Sequence, residues 1–312
     1  MAFLIGDGGA GNQPQASNNE DLLDKLVNFL TGVTGSIPTS ERWTVLKSVN
    51  SQPLPRTQEV YLVGPGLSAS DNIFVNLRTY EDPNFGYYSL EIRGAIGFDA
   101  SLSFETQPGS SSSYYTPLNN VAFNYWFVAS GRRFIVVAEV QSTWQHMYGG
   151  FYLPFSTPAE FPYPMFIGAQ TNSGGVNYTT TTFQSSAYWD PADSATIIHR
   201  DNTWLPVKNL NPSATSRTFN TSNISLKAQV YPYYTLTETL LANIDGSYSM
   251  LPIYMDSSYS GGNTYGELEG IYAISGAGQL TGNVISISGV DYLVTANSNR
   301  LQMSSFAALR LQ

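Results

Sequence analysis

Two apolar runs, Val121–Ala129 and Arg133–Val140, stand on either side of the short join Ser130-Gly131-Arg132. Both are rich in aromatic and β-branched residues, which suit a pleated surface, and a short glycine-containing join is what two antiparallel strands need to reverse direction. An isolated hairpin is marginal in water, so a chain that puts this much apolar surface into one must cover it with further strands. The rest of the sequence supplies them. Trp43–Lys47, Glu59–Val63, Ile73–Tyr80, Tyr87–Arg93, Ala187–Trp189, Thr196–His199, Ile224–Val230, Tyr248–Met255, Gly270–Ile274, Val284–Ile287, Tyr292–Ala296 and Phe306–Leu311 are short runs of strand formers bounded by turn residues. The expected fold is therefore mainly β, with antiparallel sheets in a sandwich-like or barrel-like arrangement.

One segment breaks the pattern. Leu22, Leu23, Leu26, Val27 and Leu30 share a face at helical spacing. Asn18 or Asn19 can cap this helix, Glu20 and Asp21 suit its first turn, and Gly32 ends it. A helix this short is marginal alone. Its stripe must pack on its own domain or on a neighbouring subunit. The preceding Gly6–Asn19 is rich in Gly, Asn and Gln without periodicity and reads as a flexible arm. Three regions follow: 1–40 as arm and helix, 41–172 as a β domain, and 173–312 as a second β region that can be continuous with the first.

Two strand segments carry more detail. Tyr87–Arg93 alternates, with Tyr88, Leu90 and Ile92 on one face and Ser89, Glu91 and Arg93 on the other, as a half-buried strand does. Phe151–Gly168 carries prolines at 154, 158, 162 and 164, which bar a helix interior and a central strand. Its aromatics are expected to strap over the core beside the hairpin, with Phe161 and Phe166 buried. Thr171–Ser186 is polar and reads as a linker or exposed loop.

Charge and composition narrow the function. There are 14 Lys and Arg against 23 Asp and Glu, a net charge of −9, which argues against a protein that grips nucleic acid through clustered cations. Charged residues are only 12% of the chain, about half the usual share, so uncharged polar groups must cover much of the surface. Such surfaces suit contact with neighbouring subunits or with sugars. The absence of cysteine removes disulfides and zinc–thiolate sites. The opening residues lack the pattern of a secretory signal, and no apolar run nears the ~20 residues a membrane span needs. No membrane partner is expected.

The motifs that look chemical do not hold together. Gly6-Asp-Gly8-Gly-Ala-Gly11 matches a dinucleotide fingerprint in letters, but Pro14 follows where a helix should begin. His199-Arg200-Asp201 echoes a kinase catalytic loop, yet Pro206 stands where the metal-binding Asn belongs. His146 and His199 sit in no metal-like or triad-like pattern. Glu267 and Glu269 alternate on a strand, as a glycosidase pair can, though such pairs are commonly a solvated face. Asn177, Asn220 and Asn223 match the glycosylation rule, which has no meaning without export. No catalytic, cofactor-binding or metal-binding residue is assigned, and the chain is not expected to be an enzyme.

The hairpin Tyr125-Trp-Phe-Val-Ala-Ser-Gly-Arg-Arg-Phe-Ile-Val-Val-Ala and the segment Tyr152-Leu-Pro-Phe-Ser-Thr-Pro-Ala-Glu-Phe-Pro-Tyr-Pro resemble virion structural proteins of tailed phages and prophages. So do Asn243-Ile-Asp-Gly-Ser-Tyr-Ser-Met-Leu-Pro-Ile, Tyr265-Gly-Glu-Leu-Glu-Gly-Ile-Tyr-Ala-Ile-Ser-Gly and Gly289-Val-Asp-Tyr-Leu-Val. The likeness spans most of residues 20–312. It implies a place in the neck, tail or baseplate of a particle assembled in the host cytoplasm, with other virion proteins as partners and no catalytic residue to carry over. Because such structures are ringed, a cyclic homo-oligomer is expected. The alternative is a receptor- or glycan-binding module of a fibre or tip, stacking sugar on Tyr231, Tyr233 and Tyr234. A glycan-cleaving enzyme ranks behind both.

Overall fold

The computed structural model describes residues 1–50, 53–67, 71–155, 164–179, 195–198, 202–210, 250–257, 263–274, 276, 278–296 and 306–311. The chain runs β1 (Ala2–Gly6), α1 (Asn19–Leu30), β2 (Thr44–Asn50), β3 (Gln58–Gly64), β4 (Ile73–Asp82), β5 (Tyr87–Ala95), β6 (Tyr114–Leu118), β7 (Asn124–Ser130), β8 (Arg133–Val140) and β9 (Thr143–Phe151). It continues through β10 (Leu153–Pro154), β11 (Met165–Gly168), β12 (Ala195–Ile198), β13 (Trp204–Leu210), β14 (Leu251–Ser257), β15 (Asn263–Ile274), β16 (Val284–Ile287), β17 (Val290–Ala296) and β18 (Phe306–Arg310). The fold is mainly β, and the strand pairings are antiparallel.

β2 to β6 form a five-stranded meander in chain order. The other strands make one ladder, β1-β7-β8-β9-β11-β12-β13-β14-β15-β18-β17-β16, with β10 pairing off the path on β15. This ladder folds back on itself, and two cores show how. Tyr125, Phe127 and Ala129 of β7 pack with Leu62, Val75, Leu77 and Ile92 of the meander. Trp126 and Val128, on the opposite side of the same strand, pack with Ile253, Met255, Ile271 and Leu293 from the later strands. β7 to β9 are therefore a middle layer buried on both faces, which is why the hairpin reads as a continuous apolar run rather than an alternation. Glu269, Arg132 and a two-residue Gly131-Arg132 turn lie where this layer meets the third one.

The helix packs on its own chain. Leu22, Leu23, Leu26, Phe29 and Leu30 are buried in the meander core. Asn18 is the N-cap, its side chain accepting from the Asp21 amide at 2.8 Å. At the other end Gly32 takes φ +76°, and the Gly32 and Val33 amides return to the carbonyls of Phe29 and Asn28. This is a Schellman closure, and it needs a residue without a Cβ at that position.

Three expectations are corrected. The flexible arm is instead ordered: β1 pairs with β7 over Ala2–Gly6, the Gln13 amide donates to Ile5, and Ala16 bridges Phe123 with its side chain fully buried. Four apolar residues at the chain start supply a strand, and the polar stretch folds back along it. The proline segment is not barred from the sheet along its whole length, although residues 156–163 lie outside the described residues and Phe166 is buried as expected. Beyond Pro164 the amides are restored, and Met165–Gly168 enters the sheet between β9 and β12; Phe166 is buried there and Phe155 is exposed. Phe161 and Tyr163 lie outside the described residues. Finally, β5 is not half-solvated. Ser89 and Glu91 are as buried as Leu90 and Ile92, because residues 96–113 fold over Glu91 and the chain at Gly174 covers Ser89.

Candidate assembly surfaces

Among the described residues, two clusters of buried ionisable groups tie layers of the fold together. Arg78 on β4, only 2% exposed along its side chain, donates through Nε to Glu91 on β5 at 2.5 Å and through Nη1 to Glu105 at 2.6 Å, with Glu59 at 3.6 Å. Register puts Arg78 directly across from both Glu59 and Glu91. Ser113 also donates to Glu91, and Arg93 Nε lies 3.4 Å away. The Arg78 guanidinium carbon lies over the Phe104 ring, 4.2 Å from its centroid, and Phe104 packs against Tyr61. Burial opposes the charge on Arg78, but the carboxylates of Glu91 and Glu105 outweigh it and hold its pKa above the ordinary value. Burial likewise works to raise Glu105, but the hydrogen bond and charge of Arg78 prevail and bring it down to about 2. The cluster pins residues 96–113 to the sheet: Arg78 and Glu91 are closed to solvent, while Glu105 reaches them from an exposed position.

A second cluster joins the middle and third layers. Arg132 donates to Glu269 on β15, and Arg133 Nε stands 3.2 Å from the same carboxylate. Gly270, at φ +80°, leaves room there, since a Cβ would stand 2.7 Å from the Arg133 guanidinium. Glu269 is thus a structural counter-ion. Glu267 sits across from Leu153 of β10, and burial raises its pKa. His146 of β9 is fully buried, its Nε2 3.1 Å from the Thr295 hydroxyl of β17. Burial pushes its pKa down to about 3, against a hydrogen bond with Gln170. The Gly6–Gly11 stretch is a turn in which the Asp7 carboxylate accepts from the Gly9 amide and the Asn12 side chain. Asn177 donates to the Gly86 carbonyl. Among the described residues no group of three His, Asp or Glu could hold a metal. His199, Arg200, Asp201, Asn220, Asn223, Tyr231, Tyr233 and Tyr234 lie outside the described residues.

What the fold leaves open is the rim of its sheets, where unpaired amides and carbonyls invite another strand. The ladder ends at β1 and β16, the meander at β2 and β6, and three of these edges are blunted. Along β1 runs the returning segment, through Gly6↔Gln13 and the 2.8 Å bond from the Gln13 amide to Ile5. On β6, Pro117 lacks a donor, and Tyr115 exchanges bonds with Gln170 and Thr171. β2 is kinked by a bulge between Val45 and Lys47, and Lys47 places a charge at the edge.

β16 has none of these devices among the described residues. Its four pairs with β17 run in unbroken register, Val284↔Leu293 to Ile287↔Val290. Ser288 and Gly289, both at positive φ, form the two-residue turn that matches strand twist. The strand has no proline and no charge, and Val284 is 51% exposed, Ile287 41%, and nearby Leu280 70%. Sequence reasoning found this strand but not its significance, because which strand ends a ladder follows from pairings between distant segments. No family model matches the chain, and no curated protein matches it.

Proposed function

We propose that this chain is a structural subunit that works by assembling with other proteins, in the neck, tail or baseplate of a tailed-phage particle, as a cyclic homo-oligomer. The observation that carries the reading is the uncharged β16 edge, which ends a large ladder and lies beside the exposed side chains of Val284, Ile287 and Leu280. Ordinary soluble proteins guard such edges against association, and this chain guards the other three. The scarcity of charge, and the resemblance of the sequence over most of residues 20–312 to virion structural proteins, support that setting.

Light scattering on the intact chain across a wide concentration range tests the reading. Growth of the measured mass with concentration, to a defined multiple of the subunit, is expected. A constant subunit mass throughout would overturn it. The aromatic cluster of the glycan-binding alternative lies outside the described residues.

A further inference from the structure

We infer that the β16 edge is a self-pairing surface, on which Val284–Ile287 adds antiparallel to the same strand of a second copy about a two-fold axis; this rests on the assembly reading above and specifies its contact. The hairpin geometry sets the hydrogen bonding. In a two-residue hairpin the residues flanking the turn, Ile287 and Val290, form a hydrogen-bonded pair, and so does Ile285 with Tyr292. The N–H and C=O groups of Val284 and Ser286 then point away from β17, outward.

With Ile285 placed opposite its own copy, Val284 of each chain meets Ser286 of the other. Those pairs exchange about four backbone hydrogen bonds, the full outward complement of the strand. The side chains agree with that register. Ile285 packs against the small core of Ile274, Val294, Ala296, Phe306 and Ala308, so an Ile285–Ile285 contact would extend this core across the axis.

Charge selects a second copy as the occupant. The chain is acidic, at −9, so most contacts between two copies are opposed by like charge. From Gly270 to Val290 the sequence contains no charged residue. A two-fold axis on this stretch brings no carboxylates opposite each other, whereas a basic partner would find nothing here to hold. An isologous pairing also closes at two subunits, the smallest cyclic assembly, rather than running into a filament.

The test uses the intact chain and two variants. Ser286→Pro removes an outward amide that β17 does not use, and proline is tolerated on an edge strand. Val284→Lys puts two like charges at the axis from an exposed position. Both variants should associate roughly tenfold or more weakly by light scattering, with the parent's melting temperature. In the parent, the amides of Val284 and Ser286 should gain hydrogen-exchange protection as concentration rises. If Ser286→Pro proves to melt lower, Val284→Lys decides. Variants that associate as tightly as the parent would overturn the edge assignment and leave the assembly reading standing. A parent that stays monomeric would remove both.

Discussion

Replacing Arg78 by Met should be among the most damaging single changes in this fold. The guanidinium is 2% exposed and Glu91 fully buried, so the substitution leaves a carboxylate in the interior with its main counter-ion gone. Breaking such a pair from one side typically costs ~3–5 kcal/mol. Glu91 keeps Ser113 and Arg93, the latter at 3.4 Å, which favours the lower part of that range. Loss of the guanidinium over Phe104 adds a further ~0.5–1 kcal/mol. Urea unfolding followed by tryptophan fluorescence measures the change, and Arg78→Met/Glu91→Leu is the control, since removing both charges should recover most of the loss. A second readout is acid. Glu105 has an ordinary value of 4.5 and a folded value of about 2. Its contribution is present above 4.5 and is lost as the pH falls towards 2. Arg78 is the main cause of that lowering, ahead of a backbone hydrogen bond and Arg56, so Arg78→Met should lose most of this acid-dependent component. An Arg78→Met protein within about 0.5 kcal/mol of the parent, in the range of an ordinary surface change, would refute the buried-cluster reasoning.

Phe166→Ala should cost ~3–5 kcal/mol, because Phe166 is fully buried edge-on to Tyr148 at 5.3 Å; Phe155→Ala, 59% exposed, should fall within about 0.5 kcal/mol of the parent in the same unfolding assay. Asn18→Ala removes the helix cap and should cost ~1 kcal/mol, read as a lower unfolding midpoint. His146 stays neutral down to about 3 while the unfolded chain takes up a proton below about 6.5, so stability should decline as pH falls between those values, and less steeply in His146→Gln. Gly150→Ala should be severely destabilising by calorimetry, because its φ is +126° and the new Cβ would lie 2.4 Å from the Arg132 carbonyl oxygen.

Local signals in the sequence located local structure. The Asn18 cap, the leucine stripe and Gly32 bound the helix because all of them act within a turn or two. Gly131 and its flanking runs located the β7–β8 hairpin for the same reason. What escaped depends on partners far along the chain. β1 was hidden because Ala2–Gly6 is short and its partner, Tyr125–Ala129, lies more than a hundred positions away. Glu91 looked solvent-facing in an alternating strand, since periodicity cannot show that Arg78 stands opposite and that Phe104 will cover both. Leu153 and Pro154 form only a two-residue strand, but the prolines' influence was carried too far, into the four residues Met165–Gly168. The β16 edge is a case of the same limit: Val284–Ile287 was legible as a strand, its terminal place in the ladder was not.

The central claim, that this chain is a component of an assembled particle, is tested most directly by counting it in particles. Quantitative mass spectrometry of purified virions from cells that make the protein should find it at a fixed copy number per particle, retained after washing in high salt. Particles that lack the chain, or that carry it in amounts varying between preparations and removable by salt, would contradict the account.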